Sequence, residues 1–321
     1  MKGRARKRNF DKGIIILILI IVVIAASSTL IALQLRSDKI TDDIREGRLI
    51  STLVMVHDQE KLLFTELFFY HPLTGNGALL DIPGDWGDII DSLERMDRID
   101  VLYKPTSPSQ YKSKIEDLIN RDITYVIDFD LAGVETAVDL LEGLSLFIPN
   151  PIEINEDDNL YMIPSGSVVL DGRKIAQYVS YIDLDETELE YRNRHQKFIQ
   201  ALLKSIGKQG TYLTSENVFP QFYRSVTTNM SRRALLSFID ELSSLDADHL
   251  ISKPVHGDKV KVDDDGQILL FPYSEGKYVR ESVRQLVDAL ANTEVMSEAE
   301  LTIALEVLNG TEKQGMASRT K

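Results

Sequence analysis

The chain has no cysteine, one tryptophan and five histidines in 321 residues. Without cysteine there is no disulfide scaffold, no thiolate-bound zinc or iron–sulfur centre and no thiol nucleophile. His57, His71, His195, His249 and His256 are scattered, with neither HExxH nor HxH spacing, so no zinc signature is present. Walker, GxGxxG and GxSxG patterns are missing too, which removes nucleotide-cradling loops and the hydrolase elbow. Asp263-Asp264-Asp265-Gly266 imitates a calcium loop, but the bidentate Glu that an EF-hand needs at position 12 is Ser274 here. It reads as a hairpin turn. Positive charge is scarce: 36 Lys and Arg face 50 Asp and Glu, a net −14, the wrong sign for a nucleic-acid partner.

That charge is unevenly spread. Residues 1–13 hold six basic side chains against Asp11, a local +5, which leaves −19 on the other 308 residues. Directly after them, Ile14 to Leu35 has no charged residue in 22 positions. As a helix it would span about 33 Å, against about 30 Å for a bilayer's hydrocarbon core. The apolar stretch runs on past Ala25-Ala26-Ser27, further than a cleavable signal core, so an uncleaved anchor is expected. The flanking basic cluster places the amino end in the cytoplasm. The expected organisation is a basic cytoplasmic tail (1–13), a single-pass helix in the cytoplasmic membrane (14–35), a linker or short helix (36–48), an extracytoplasmic domain (49–292) and a tail (293–321).

Within the domain, Leu49–Val56 and Leu62–Tyr70 are β-branched or aromatic runs, and Ala78–Ile82 follows a turn. Helical spacing marks Trp86–Met96, Tyr111–Ile119 and Val134–Leu141, the last closed by Gly143 before the strand Leu144–Ile148. Asp185 and Glu188 have capping-box spacing ahead of a helix through Tyr191, His195, Phe198, Leu202 and Ile206 that stops at Gly207. Ser231–Leu245 and Val279–Leu290 are further helices, and Val260–Val262 with Gln267–Phe271 a second hairpin. Strands alternating with helices predict a three-layer α/β domain, a central mixed sheet flanked by helices. Against the acidic background, Arg173, Lys174, Arg192, Arg194, Lys197 and Lys204 form the remaining concentration of positive charge.

The order of segments resembles the LytR-CpsA-Psr family. A basic end, one apolar span and a strand pair lead to Ile82-Pro83-Gly84-Asp85, where the family has Ile-Pro-Arg-Asp. Ile123 to Asp128 and Val138 to Pro149 are similar to its next stretch. Gly166, Leu170-Asp171-Gly172 and Tyr178 match G-x-x-x-LDG…Y, Arg194-His195-Gln196 stands for Arg-Gln-Gln, and Val226 to Ser231 is similar to a later segment. Leu305 to Thr311 resembles the opening of a LytR carboxy-terminal domain, with an ordinary helix from Ser297 to Leu308 as the alternative.

The resemblance implies transfer of a glycopolymer from a polyprenyl-pyrophosphate carrier to the cell wall, with the lipid tail in an apolar tunnel between sheet and helices. Arginine forks would bind the pyrophosphate and carboxylates would hold magnesium against it. The chain departs from that pattern where the chemistry resides. An expected Arg is Gly84, an early Asp-Thr is Leu63-Phe64, and an Arg pair after Tyr178 is Ser180 and Ile182. In Asp-x-x-Arg-x-x-Arg-Gln the positions read Glu188, Tyr191, Arg194 and His195. Each lost charge-assisted contact costs about 1.5–3 kcal/mol. The expectation is therefore an envelope protein that binds a polyprenyl-linked lipid or glycopolymer with catalysis weak or lost. The alternatives are an active transferase and a non-catalytic membrane scaffold. Asp85, Arg173 and Arg194 are the candidate phosphate-end residues, with Asp85 the ligand should magnesium be bound.

Overall fold

The computed structural model describes residues 20–23, 38–156, 159–182, 186–262 and 267–292. Helix α1 (Lys39–Arg45) leads into the domain within the segment read as a linker or short helix. Its Ile40 is buried, and Asp43 accepts from Arg48 at 2.7 Å and from the Tyr125 hydroxyl at 2.8 Å, so this turn is part of the packed body.

Strand β1 (Ile50–Asp58) is buried along nearly its whole length, as a strand covered on both faces must be. It pairs antiparallel with β2 (Lys61–His71), which pairs with β3 (Asn76–Asp81). Helix α2 (Ser109–Ile119) returns the chain to β6 (Tyr125–Asp130), parallel to β1. With β11 (Thr227–Thr228) and β12 (Ile251–Lys253) the mixed sheet has the order β11-β6-β1-β2-β3-β12. Alternation along the strands sends Val54, Val56, Phe64 and Phe68 to one face and Leu53, Met55, Leu67 and Phe69 to the other. The first face is covered by α3 (Leu131–Leu140), α4 (Gly172–Ser180), α5 (Glu188–Leu213), α6 (Phe219–Arg224) and α7 (Arg232–Glu241); the second by α2 and α8 (Lys277–Ala291). This is the three-layer α/β architecture expected from the sequence. Two further antiparallel pairs, β7 (Leu144–Ile148) with β10 (Gly166–Leu170) and β8 (Ile152–Glu156) with β9 (Asn159–Ile163), form a ribbon beside it.

Two expectations are corrected. Trp86–Met96 is a hairpin rather than a helix: β4 (Gly87–Ile90), a turn at Asp91–Leu93 with Glu94 left-handed at φ 51°, and β5 (Arg95–Arg98). Of the apolar residues that helical spacing put on one face, Ile89 and Leu93 are exposed and Ile90 is buried, as alternation in a strand requires. Pairing won because Trp86 is buried against the second hairpin, β13 (Gly257–Lys261) with β14 (Ile268–Pro272), where it bridges Leu270. The long helix is also capped differently. Thr187 accepts from the Glu190 amide and Glu190 reaches back to the Thr187 amide, a capping box two residues later than expected. Asp185 lies outside the described residues. The helix continues past Gly207 to Leu213, because that glycine serves a close crossing: a Cβ there would stand 2.8 Å from the Leu242 carbonyl oxygen.

Among the described residues no helix is long and apolar enough to cross a membrane. The expected anchor at 14–35 lies outside them apart from residues 20–23, which are helical with exposed side chains, and so does the expected tail at 293–321.

Candidate functional site

The chain leaves the carboxyl end of β3 through Ile82-Pro83-Gly84-Asp85, beside the first turns of α5. A cleft of about 350 Å³ opens there. Its lining includes Leu63, Phe64, Gly84, Asp85, Glu188, Tyr191 and His195. Most of the positions at which the resemblance implied chemistry line this one cleft, although most residue types have changed; Ser180, Ile182 and Arg194 do not line it.

What replaces the expected arginines is a set of cations from other positions. Arg98 on β5 grips Asp100, whose carboxylate lies 2.7 Å from where a Cβ on Gly84 would project. Arg192 pairs with buried Asp81 and donates to the Val255 carbonyl at 3.1 Å. Lys259 on β13 sits 3.3 Å from Asp85 Oδ2 and pairs with Glu188 as well. Against the desolvation that lowers it, the hydrogen bond to Glu188 and the charge of Asp85 hold the Lys259 ammonium above its ordinary value.

Behind the cleft, Glu66 lies opposite Asp81 across the β2–β3 ladder on the same buried face. Neither of its carboxyl oxygens has a hydrogen-bond partner among the described residues. Burial, reinforced by Asp81, raises Glu66 well above the ordinary carboxylate range, and burial pushes Asp81 up to about 6 against the lowering effect of Arg192. Burial thus favours the neutral form of the Glu66 carboxyl. The cleft's inner wall is aromatic: Phe64 stacks on His195 with ring centroids 4.1 Å apart and meets Phe198 edge-on. Burial lowers His195 to about 3, so the ring is neutral, and its Nε2 lies 3.0 Å from the Val179 carbonyl. Of the apolar runs Leu62–Tyr70 and Phe198–Ile206, Phe64, Phe68, Tyr70, Phe198, Leu202 and Ile206 pack into the core on one face of the sheet, while Leu67 and Phe69 pack into the core on the other.

The three candidate residues do not converge. Asp85 lines the cleft. Arg194, 5% exposed, faces a second depression of about 330 Å³ with Pro149, Pro151 and Lys197. Its guanidinium lies 5.8, 5.3 and 5.3 Å from the Tyr178, Tyr181 and Tyr191 ring centres. It donates to Glu186 at 2.8 Å and to the Tyr181 carbonyl at 2.6 Å. That is a cation–π cradle fixing α4 to α5. Arg173 is exposed on α4, 5.1 Å from the centre of the Tyr161 ring, and lines neither depression.

The magnesium expectation meets an occupied gap. Asp85 and Glu188 are the carboxylates that face each other, and Lys259 contacts both. Among the described residues no group of three or more His, Asp or Glu side chains is placed to hold a metal ion. The donor set does not fit a bound divalent cation.

Sequence reasoning missed Arg98, Lys259 and Glu66, and noted Arg192 only within a basic cluster. Arg192 stands one residue from an expected arginine, and Glu66 is the one charge inside the apolar run Leu62–Tyr70; both were visible signals. Nothing local marks Lys259 or Arg98.

The remaining motif residues are explained by backbone geometry. Asp171 caps α4 through the Lys174 amide at 2.9 Å, and Gly172 lets α4 approach α3, since a Cβ there would meet the Glu135 carbonyl oxygen at 2.2 Å. Asn229 accepts from the Val126 amide and donates to the Thr124 carbonyl, both at 2.9 Å, pairing with the edge of β6 as a strand would.

A mixed sheet between two helical layers in this order is a fold already known. TagV of B. subtilis superposes with a TM-score of 0.66 at 14% identity, covering 75% of this chain and 98% of that one. The gbs0355 protein of Streptococcus agalactiae gives 0.66 at 16% identity, over 78% and 92%. TagT, solved bound to LI-WTA, gives 0.59 at 14% identity, over 75% and 91%. No curated protein matches by sequence. The LytR_cpsA_psr family model matches residues 70–297, and the chain belongs to that family.

Proposed function

We propose that this chain is a membrane-anchored, extracytoplasmic protein of cell-envelope assembly. Its Asp85 cleft holds the phosphate-bearing head of a polyprenyl-linked glycopolymer, and its transfer chemistry is weak or lost. Family membership and the likeness to TagT, solved with LI-WTA, support the envelope role. The volume of about 350 Å³ suits a headgroup. The observation that carries the loss of transfer is that three of the four basic residues lining the cleft, all but Lys61 at its mouth, are already clamped by the cleft's own carboxylates: Arg98 by Asp100, Arg192 by Asp81, and Lys259 by Asp85 and Glu188. Stabilising the charge of a departing phosphate is the main catalytic task in such a transfer, and it requires donors aimed at the ligand.

The test is thermal unfolding of the full chain with a short-chain polyprenyl phosphate. Saturating ligand is expected to stabilise by about 2.7 kcal/mol at 100 times Kd. No shift at saturation removes the binding claim. A second reading, a slow transferase, is favoured by the arrival of Arg98 beside position 84, where the family pattern has its arginine. Product release from a polyprenyl-pyrophosphate glycan that is abolished by Asp85→Asn would establish that reading instead.

A further inference from the structure

Lys259 is held in place by more than its two ion pairs. The β13–β14 hairpin that carries it is fastened to the cleft wall, with the Leu270 amide donating to the Asp85 carbonyl at 2.9 Å and Gln267 Nε2 to Asp97 at 2.7 Å. Gly257, at the start of β13, is pressed so closely on β14 that a Cβ would stand 2.2 Å from the Phe271 carbonyl oxygen. Strand pairing therefore fixes the root of Lys259, and its ammonium ends between Asp85 and Glu188.

Two carboxylates facing one gap make a hard oxygen site of the kind divalent cations seek. An ammonium in that gap is three donors and no acceptor, so it satisfies both carboxylates and offers nothing to a metal. It would also repel an approaching dication at short range. Resting on the reading of the cleft as a headgroup site, we propose that the Lys259 ammonium is the resident cation of this cleft. It fills the place between Asp85 and Glu188, so a phosphorylated head binds without recruitment of a divalent metal. Binding then requires the anion to draw Lys259 partly off its carboxylates, with Arg98 and Arg192 as neighbouring donors.

The experiment uses the full chain in detergent micelles and two probes. Manganese(II) binding is followed by the loss of the free-ion electron paramagnetic resonance signal. The native protein is expected to show no saturable site that depends on Asp85. Lys259→Met, which keeps the stem and removes the charge, is expected to gain manganese affinity on the order of tenfold or more. Adding Asp85→Asn to it should remove the gain. A native manganese site abolished by Asp85→Asn overturns the proposal. So does the absence of a gain in Lys259→Met with unchanged circular dichroism; should that variant not fold, Lys259→Gln makes the same comparison. The second probe is inorganic pyrophosphate, with thermal shifts compared in EDTA and in magnesium at equal free pyrophosphate. Equal shifts support metal-free binding. A shift in magnesium alone overturns the proposal and keeps the headgroup reading, whereas no shift in either condition overturns the headgroup reading itself.

Discussion

The corner where α4 packs on α3 and the cleft around Asp85 both carry motif positions of one family, and they treat them differently. At the corner, Asp171, Gly172 and Tyr178 are the residues the pattern asks for, each tied to a backbone requirement: a cap, a close approach, a buried ring. In the cleft, Leu63, Phe64, Gly84, Tyr191 and His195 stand where charged, hydroxyl or amide side chains were expected, and the paired cations come from β5, β13 and an adjacent position of α5. Resemblance by motif is here mostly resemblance of scaffold. Whether the protein does the family's chemistry depends on the smaller set of positions that face the ligand.

The largest effect belongs to the scaffold side. Gly172→Ala should cost about 3 kcal/mol or more in urea unfolding, because the new methyl meets backbone rather than a side chain able to move. A loss under about 1 kcal/mol would show that the corner is slack and weaken the contrast.

Next comes the neutral His195. Its folded value of about 3 lies below the unfolded 6.5, so the unfolded chain takes up the proton first. Stability is complete above 6.5 and falls with pH below it, by about 3 kcal/mol at pH 4. Glutamine, the residue the family pattern has at this position, does not titrate, so His195→Gln should flatten that acid limb in a series of pH-dependent melts.

The Glu66–Asp81 pair acts in the opposite direction. Both folded values are raised, so stability is fullest below the ordinary carboxylate range and falls as pH rises toward those values. Glu66→Gln should recover stability at neutral pH and none at pH 3, as read by denaturant midpoints. Recovery independent of pH would mean that burial does not raise the Glu66 carboxyl.

The smallest effect is expected at the β6 edge. Asn229→Ala removes the partners of the Val126 amide and the Thr124 carbonyl and should cost about 1–2 kcal/mol, with hydrogen exchange accelerating at Val126 alone among the β6 amides.

Most of the scaffold was legible because its signals are local. β-branched and aromatic runs marked β1 and β2, and the spacing of Leu235, Phe238, Ile239 and Leu242 marked α7. The β4–β5 hairpin was not, since Ile89, Ile90 and Leu93 fit one helical face while the pairing that buries Ile90 and exposes the other two is set by Trp86 docking on β14. The cleft was legible by position and illegible by content. Asp85 could be placed from the motif that carries it, and Arg194 could be noticed as a surviving arginine. That Arg194 turns into a tyrosine cradle and that Lys259 crosses from a distant hairpin are properties of tertiary packing, which no local pattern encodes.

The most direct test of the central claim is a single-turnover experiment on the full chain in vesicles, with a labelled polyprenyl-pyrophosphate glycan and a wall acceptor. Bound ligand and released polyprenyl phosphate are measured together, for the native protein and for Asp85→Asn. The account predicts saturable binding with release no faster than in Asp85→Asn. Release well above that variant would contradict it and make the chain a working transferase.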